Sequence, residues 1–256
     1  YAIDGTGQFE WAASLAGSSA PVVDLSGGAK TKTVHEARLK TIWDVRQIES
    51  MDFAGLNGMR ESLRVVRRAA DELHGKVLCV GKAELGLEGI FKIEKAKRSQ
   101  SPNNGSGSSR FWSTKSTANI IADLNTLVKA NQIAAKGAVM FDTIILPPTT
   151  MAFLSIQPYD TASGQTTVLE YLKKAFPALK WVEAYEAASD WVDPVAANGF
   201  ATVIDSRFVE YKSQIDFEQG SMREADYGVE IPFRLASGGV FTMNPMAVAY
   251  MTDIED

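Results

Sequence analysis

Residues 142–177 read DTIILPPTTMAFLSIQPYDTASGQTTVLEYLKKAFP, and their layout decides the fold. The run 138–146 is almost wholly apolar and predicts a central strand buried on both faces. Pro147-Pro148 ends it, because proline donates no ladder hydrogen bond. A short helix carrying Met151, Phe153 and Leu154 starts at Thr149 or Thr150. A polar loop at 157–166 leads to Thr167 and Glu170, whose spacing forms a capping box and sets a helix at 168–176. Nothing in this stretch has the residues of a catalytic centre. It reads as scaffold that presents surface.

Downstream, strands are expected at 180–186, 199–205, 208–211 and 229–235, and in the apolar run 240–251, which Pro245 bends or confines to an edge. Upstream, Ser116 or Thr117 caps a helix carrying Ile120, Ile121, Leu124, Leu127 and Val128. The Ser/Asn/Gly-rich stretch 99–110 reads as a mobile loop. The longest helix signal is the apolar stripe Leu56, Met59, Leu63, Val66, Ala70, Leu73, spaced alternately three and four residues apart. Ser50 or Asp52 caps it and Gly81 ends it, so the helix is expected over 53–80, roughly 40 Å at about 1.5 Å per residue. Residues 1–42 hold candidate strands at 9–15 and 31–42 around a Pro/Gly-rich middle. Their weak apolar alternation predicts an exposed ribbon that must lie on a support. Strands and helices mix without regular βαβ units, which gives an α+β fold.

The chain has 256 residues, 45% hydrophobic and 22% charged, enough for one large or two small domains. It has no apolar run of eighteen residues, which excludes a transmembrane helix, and its first residues lack the basic-then-apolar pattern of a signal peptide. The net charge of −5 argues against a basic nucleic-acid surface. The charge is uneven: residues 30–98 carry fifteen bases against ten acids, and residues 183–256 carry four against fourteen. Such halves can face one another within a subunit or across a head-to-tail contact, or can both be solvated faces.

The sequence holds no constellation of catalytic or metal-ligating residues. His35 and His74 read as surface histidines, and Cys79, beside Val77 and Leu78, as an inert core thiol. These three residues are too few and too scattered for zinc. Asp190 and Asp193 sit close together without the glycine turn or third ligand of a calcium loop. GKAELGLEG, residues 81–89, matches no phosphate-binding fingerprint. No cofactor, metal or catalytic residue is assigned, and nothing indicates an enzyme.

Four segments in order carry a resemblance: LGLEGIF (85–91), DTIILPPTTMAFLS (142–155), TTVLEYLKKAFPALKWVE (166–183) and DFEQGSMREADYGVEIPFRLASGGVFTMNPMAVAYMTDI (216–254). Together they resemble the major capsid proteins of tailed bacteriophages, of the Hong Kong 97-like fold. The resemblance implies an extended loop at 1–42, a peripheral domain at 43–116 with a spine helix at 53–80, an axial domain at 117–215, and a return to the peripheral domain at 216–256. It implies a protein that assembles with itself into pentamers and hexamers of an icosahedral head in the host cytoplasm. Packaged double-stranded DNA would lie inside, bound without sequence specificity and with no membrane involved. Portal, scaffold and decoration proteins are the further partners it suggests.

On this reading the intersubunit contact candidates are Phe9, Trp11, Lys30, Lys32 and Arg38 on the ribbon, and Arg60, Arg64, Arg67 and Arg68 on the spine. The alternative for those arginines is a solvated helix face with intrahelical ion pairs. The family carries an N-terminal arm where almost nothing precedes Gly7, which leaves proteolytic maturation and an incomplete chain both open. No residues match the lysine–asparagine crosslinks of some capsids, so Lys30 and Lys32 read as ordinary surface charges. Two other functions are carried beside the phage head: an encapsulin-like nanocompartment shell of the same fold, and a soluble α+β enzyme.

Overall fold

The computed structural model describes residues 2–6, 24–28, 33–53, 58–159, 166–188, 199–225 and 228–255. The chain divides into two units, Tyr1–Thr33 and Val34–Asp256. In the first, β1 (Ala2–Thr6) pairs antiparallel with β2 (Asp24–Gly28), from Ala2 opposite Gly28 to Thr6 opposite Asp24. A two-stranded ribbon is therefore present within residues 1–42, while the strand expected at 31–42 is found at His35–Asp44 in the second unit. The predicted strand at 9–15 lies outside the described residues.

The second unit begins with β3 (His35–Asp44), α1 (Val45–Phe53) and α2 (Gly58–Cys79), followed by β4 (Gly81–Lys82), β5 (Leu87–Glu88) and β6 (Lys97–Gln100). Next come α3 (Thr117–Asn125), a π-helical turn at Thr126–Ala130, α4 (Asn131–Ala134), β7 (Thr143–Leu146), α5 (Pro148–Ile156), α6 (Val168–Ala175) and β8 (Lys180–Glu183). It closes with β9 (Phe200–Ile204), β10 (Val209–Gln219), β11 (Arg223–Ala225), β12 (Gly228–Thr242) and β13 (Val248–Thr252).

The support that the weakly apolar strand needs is β12. All ten residues of β3 pair with it antiparallel, from His35 opposite Ser237 to Asp44 opposite Gly228. The two backbones close up at that end, where a Cβ on Gly228 would run into the Trp43 carbonyl. β3 thus belongs to the second unit, which begins at Val34. On its other edge β12 pairs with β10 and β11.

Helix α2 packs on this sheet through the predicted stripe: Val66 is buried with Ile231 and Phe233, with Leu63, Phe217 and Val229 around them. It spans 22 residues, about 33 Å, and not the whole of 53–80. Helix α2 opens at Gly58, and residues 54–57 lie outside the described residues. Gly58 also passes so near Trp43 that a Cβ there would lie 3.0 Å from the indole. Residues 45–53 form a separate helix, and Leu56 lies outside the described residues. Gly81, at φ +76°, turns the chain out of α2, in the left-handed region that favours glycine.

The second sheet runs β6-β13-β9-β7-β8, parallel at its two outer pairs and antiparallel within. Alternate residues of its strands enter two cores, as the period of two requires. Ile144, Leu146, Ala201, Val203, Ala249 and Met251 meet the helices α3, α5 and α6 through Ile120, Leu124, Leu154, Val168 and Leu172. Ile145, Phe200, Ile204, Val248 and Tyr250 meet Phe91, Ile93 and Val240 on the opposite face.

Several expected boundaries move. The strand expected at 138–146 is ordered as a strand only over Thr143–Leu146, although Val139 and Phe141 are buried. An apolar run does not distinguish strand from buried coil. The expected strand 240–251 is two strands in two sheets, with a 3₁₀ turn at Pro245–Ala247 carrying the chain between them. Strand 208–211 extends to eleven residues, because Val209, Tyr211, Ser213, Ile215 and Phe217 alternate with exposed polar residues. Loop 99–110, expected to be mobile, is tied down: Ser101 Oγ donates to the Arg110 carbonyl at 2.8 Å, and Arg110 Nε donates to Asn103 at 2.6 Å.

Candidate functional site

Helix α2 covers only part of the β3–β12–β10 sheet. Beside it runs a groove of about 320 Å³ whose apolar walls include Leu39, Val66, Ala70, Leu73, Phe217 and Phe233. Arg38, Glu72, Lys76 and Arg234 stand along it. Leu39 remains 48% exposed on the wall.

Arg38, one of the sequence candidates, sits directly opposite Arg234 in the register. Like charges in that position repel, and each is met by an acid: Arg38 by Glu36 at 3.1 Å, Arg234 by Glu218 at 2.8 Å. Lys40 and Glu230 add a third ion pair at 3.1 Å, across β3 and β12. The Arg38 guanidinium holds the Glu36 carboxyl below its ordinary range, chiefly by their hydrogen bond. This charged ladder contributes little stability, since its members are solvated. Its effect is to keep an exposed strand soluble.

On α2, the candidates Arg60, Arg64, Arg67 and Arg68 are all exposed and share one side of the helix by their spacing. Arg64 pairs with Glu61 at 3.0 Å and Arg68 with Glu72 at 3.1 Å, the intrahelical pairing that the solvated reading expects. Candidates Phe9, Trp11, Lys30 and Lys32 lie outside the described residues. The structure therefore brings Arg38 to the α2 groove and places the four spine arginines on a neighbouring face.

His74 is not a free surface histidine. Its Nδ1 lies 2.7 Å from the Tyr211 hydroxyl and its Nε2 lies 2.7 Å from the Asp216 carbonyl oxygen, bolting α2 to β10. That carbonyl can only accept, so Nε2 carries the proton and Nδ1 accepts from Tyr211. Ser237 continues the chain, donating to the Tyr211 hydroxyl at 3.0 Å. Cys79 is half-buried, and burial pushes its thiol up to about 12, which removes it as a nucleophile. Asp190 and Asp193 lie outside the described residues. Among the described residues no group of three or more His, Cys, Asp or Glu side chains could hold a metal ion.

Two polar clusters escaped sequence reasoning. Lys115 and Asp123 form a 2.5 Å ion pair with side chains 0% and 1% exposed, joined by Ser101 Oγ at 2.6 Å from the ammonium. Asp205, also buried, accepts from Met140 N, from Arg207 N and from the Arg207 guanidinium. Burial raises the Asp205 carboxyl, but these donors outweigh it and hold it below its ordinary value. A charged residue looks the same in a sequence whether buried or solvated, so neither cluster carried a signal.

Surface, not reacting geometry, is what this arrangement offers. A family model described as "Major capsid protein" matches residues 7–254. No curated protein matches the chain significantly. Among solved structures, the capsid of Myoviridae phage XM1 is similar with a TM-score of 0.79 at 12% identity, over 98% of this chain and 84% of that one. The capsid of the native GTA particle gives 0.60 at 13% identity, over 99% and 82%. Mycobacterium phage Ogopogo gives 0.58 at 14% identity, over 98% and 85%. At these identities the likeness is one of fold, the Hong Kong 97-like capsid fold. No helix among the described residues is long and apolar enough to cross a membrane.

Proposed function

Since the chain belongs to the major capsid protein family and is accordingly a structural capsid shell protein, we propose that it assembles with itself into pentamers and hexamers of an icosahedral phage head around double-stranded DNA. The observation that carries this reading is a family match spanning both units, from residue 7 to residue 254. Residues 1–42 serve as the extended loop that reaches over a neighbouring subunit, and α2 as the spine of the peripheral domain. Residues 117–215 form most of the axial domain around the symmetry axis, and 216–256 return to the periphery. Phe9, Trp11, Lys30, Lys32 and Arg38 contact neighbours from the ribbon side, and Arg60, Arg64, Arg67 and Arg68 from the spine. Head-to-tail contacts of this kind close into rings when the rotation closes.

Assembly takes place in the bacterial cytoplasm, with portal, scaffold and decoration proteins as further partners, and it involves no catalysis. Cryo-electron microscopy of purified particles with assay of their contents tests the reading. Fivefold and sixfold capsomers around DNA are expected. Closed shells holding protein cargo and no DNA would replace the phage head with a nanocompartment.

A further inference from the structure

The five-stranded sheet β6-β13-β9-β7-β8 has two outer edges, and their exposed charges differ in sign. Strand β6 opens with the exposed Lys97 and Arg98. Lys92 and Lys95 lead into it, turned outward by the burial of Phe91, Ile93 and Ala96 around them, with Glu94 as the one acid. Strand β8 ends at the exposed Glu183, followed by Tyr185, which is 76% exposed, and by Glu186. The sequence holds no base from Trp181 to Ser206, and Lys180, which opens β8, lies on the opposite face from Glu183. Among the described residues no strand pairs with the outer side of β6 or of β8.

The pairing registers run unbroken across this sheet. Lys97, Ala249, Val203, Ile144 and Trp181 form one row, and Ser99, Met251, Ala201, Leu146 and Glu183 form the row two residues further on. Lys97 and Glu183 therefore share the face that packs on α3, α5 and α6, about 7 Å apart along the strand direction. Across the sheet they stand four strand spacings apart, roughly 19 Å, too far to meet within one subunit. Among the described residues neither has an ion-pair partner.

We propose that the β6 edge of one copy docks against the β8 edge of the next, with Lys97 meeting Glu183 and Tyr185 packed in the seam. This rests on the self-assembly reading and adds which surfaces meet. The occupant of each edge is a second copy, because the complement of each is carried by the same chain. Surfaces related by rotation about a ring axis must lie at matching positions, and the register sets Lys97 and Glu183 within side-chain reach of one level. The contact is head-to-tail, so every copy offers both edges and a closed ring leaves neither open. A nucleic-acid backbone would suit the basic edge alone and would leave Glu183 and the exposed Tyr185 unmet.

The test compares the wild type, Lys97→Glu, Glu183→Lys and the double exchange for yield of closed particles, with subunit melting as the control for folding. Each single reversal sets like charges across the seam and is expected to lower the yield about tenfold or more, with Tm unchanged. The double exchange re-forms the pair and is expected to restore the yield. Should a variant fail to fold, carbodiimide coupling of wild-type particles followed by peptide mass spectrometry decides the matter. An amide between Lys97 and Glu183 is expected there, and it can form only between copies. Normal particles from either single variant, no recovery in the double exchange, or no such amide in intact particles would overturn the proposal and leave the shell reading standing. Failure of the wild type to assemble under every condition would overturn both.

Discussion

Lys115 and Asp123 form an ion pair closed to solvent on both sides, and this fixes what their replacement does. Removing one partner leaves the other charge buried and unmet, at a cost of about 3–5 kcal/mol. Asp123→Asn or Lys115→Met alone should therefore lower the denaturant midpoint sharply. Replacing both with apolar residues of similar volume should recover most of the loss. Asp205 makes a different prediction, because its folded carboxyl titrates below its unfolded value. Its contribution is complete above the ordinary Asp range near pH 4 and is lost as pH falls through the depressed folded value. Unfolding free energy measured from pH 7 to pH 2 should thus fall less steeply in acid for Asp205→Asn than for the wild type. An unchanged slope would mean that Arg207 and the Met140 amide do not hold the charge.

At the level of elements, local chemistry was legible where a few neighbouring residues decide the outcome. The capping box at Thr167 and Glu170 forms as its spacing requires, and Ser116 caps α3. Thr167→Ala should cost about 1 kcal/mol in chemical denaturation. The α2 stripe was legible because period alone specifies which face is buried. Strand extents were not, since β10 and β12 gain their length from pairing with each other and with β3, which is non-local information. His74 failed for the same reason, as both its partners lie on β10, 137 or more residues away. Phe233 stands at the centre of the α2–sheet contact, stacked on Phe217 at 5.6 Å. Phe233→Ala should cost about 3–5 kcal/mol and detach α2 from its sheet, seen as faster amide exchange along the helix. The proposed assembly role of α2 is separable from this. Arg64→Glu with Arg68→Glu should leave the subunit's melting nearly unchanged while preventing closed particles. Normal particles from that variant would remove the spine arginines from the interface.

For the whole molecule, the four segments that carried the family resemblance all lie in the second unit, and the family match extends over both units. The contact candidates were less legible. Interfaces between copies leave no period in a sequence, and the ribbon residues Phe9, Trp11, Lys30 and Lys32 lie outside the described part. A shell subunit also need not bury a large area in any single contact, because many modest contacts close the particle together. That account predicts a very large assembly from a 256-residue chain. Size-exclusion chromatography with light scattering, followed by negative-stain microscopy of the leading peak, measures it most directly. The prediction is elution in the void volume as closed, uniform particles of megadalton mass. A monodisperse monomer or small oligomer under every assembly condition would contradict it.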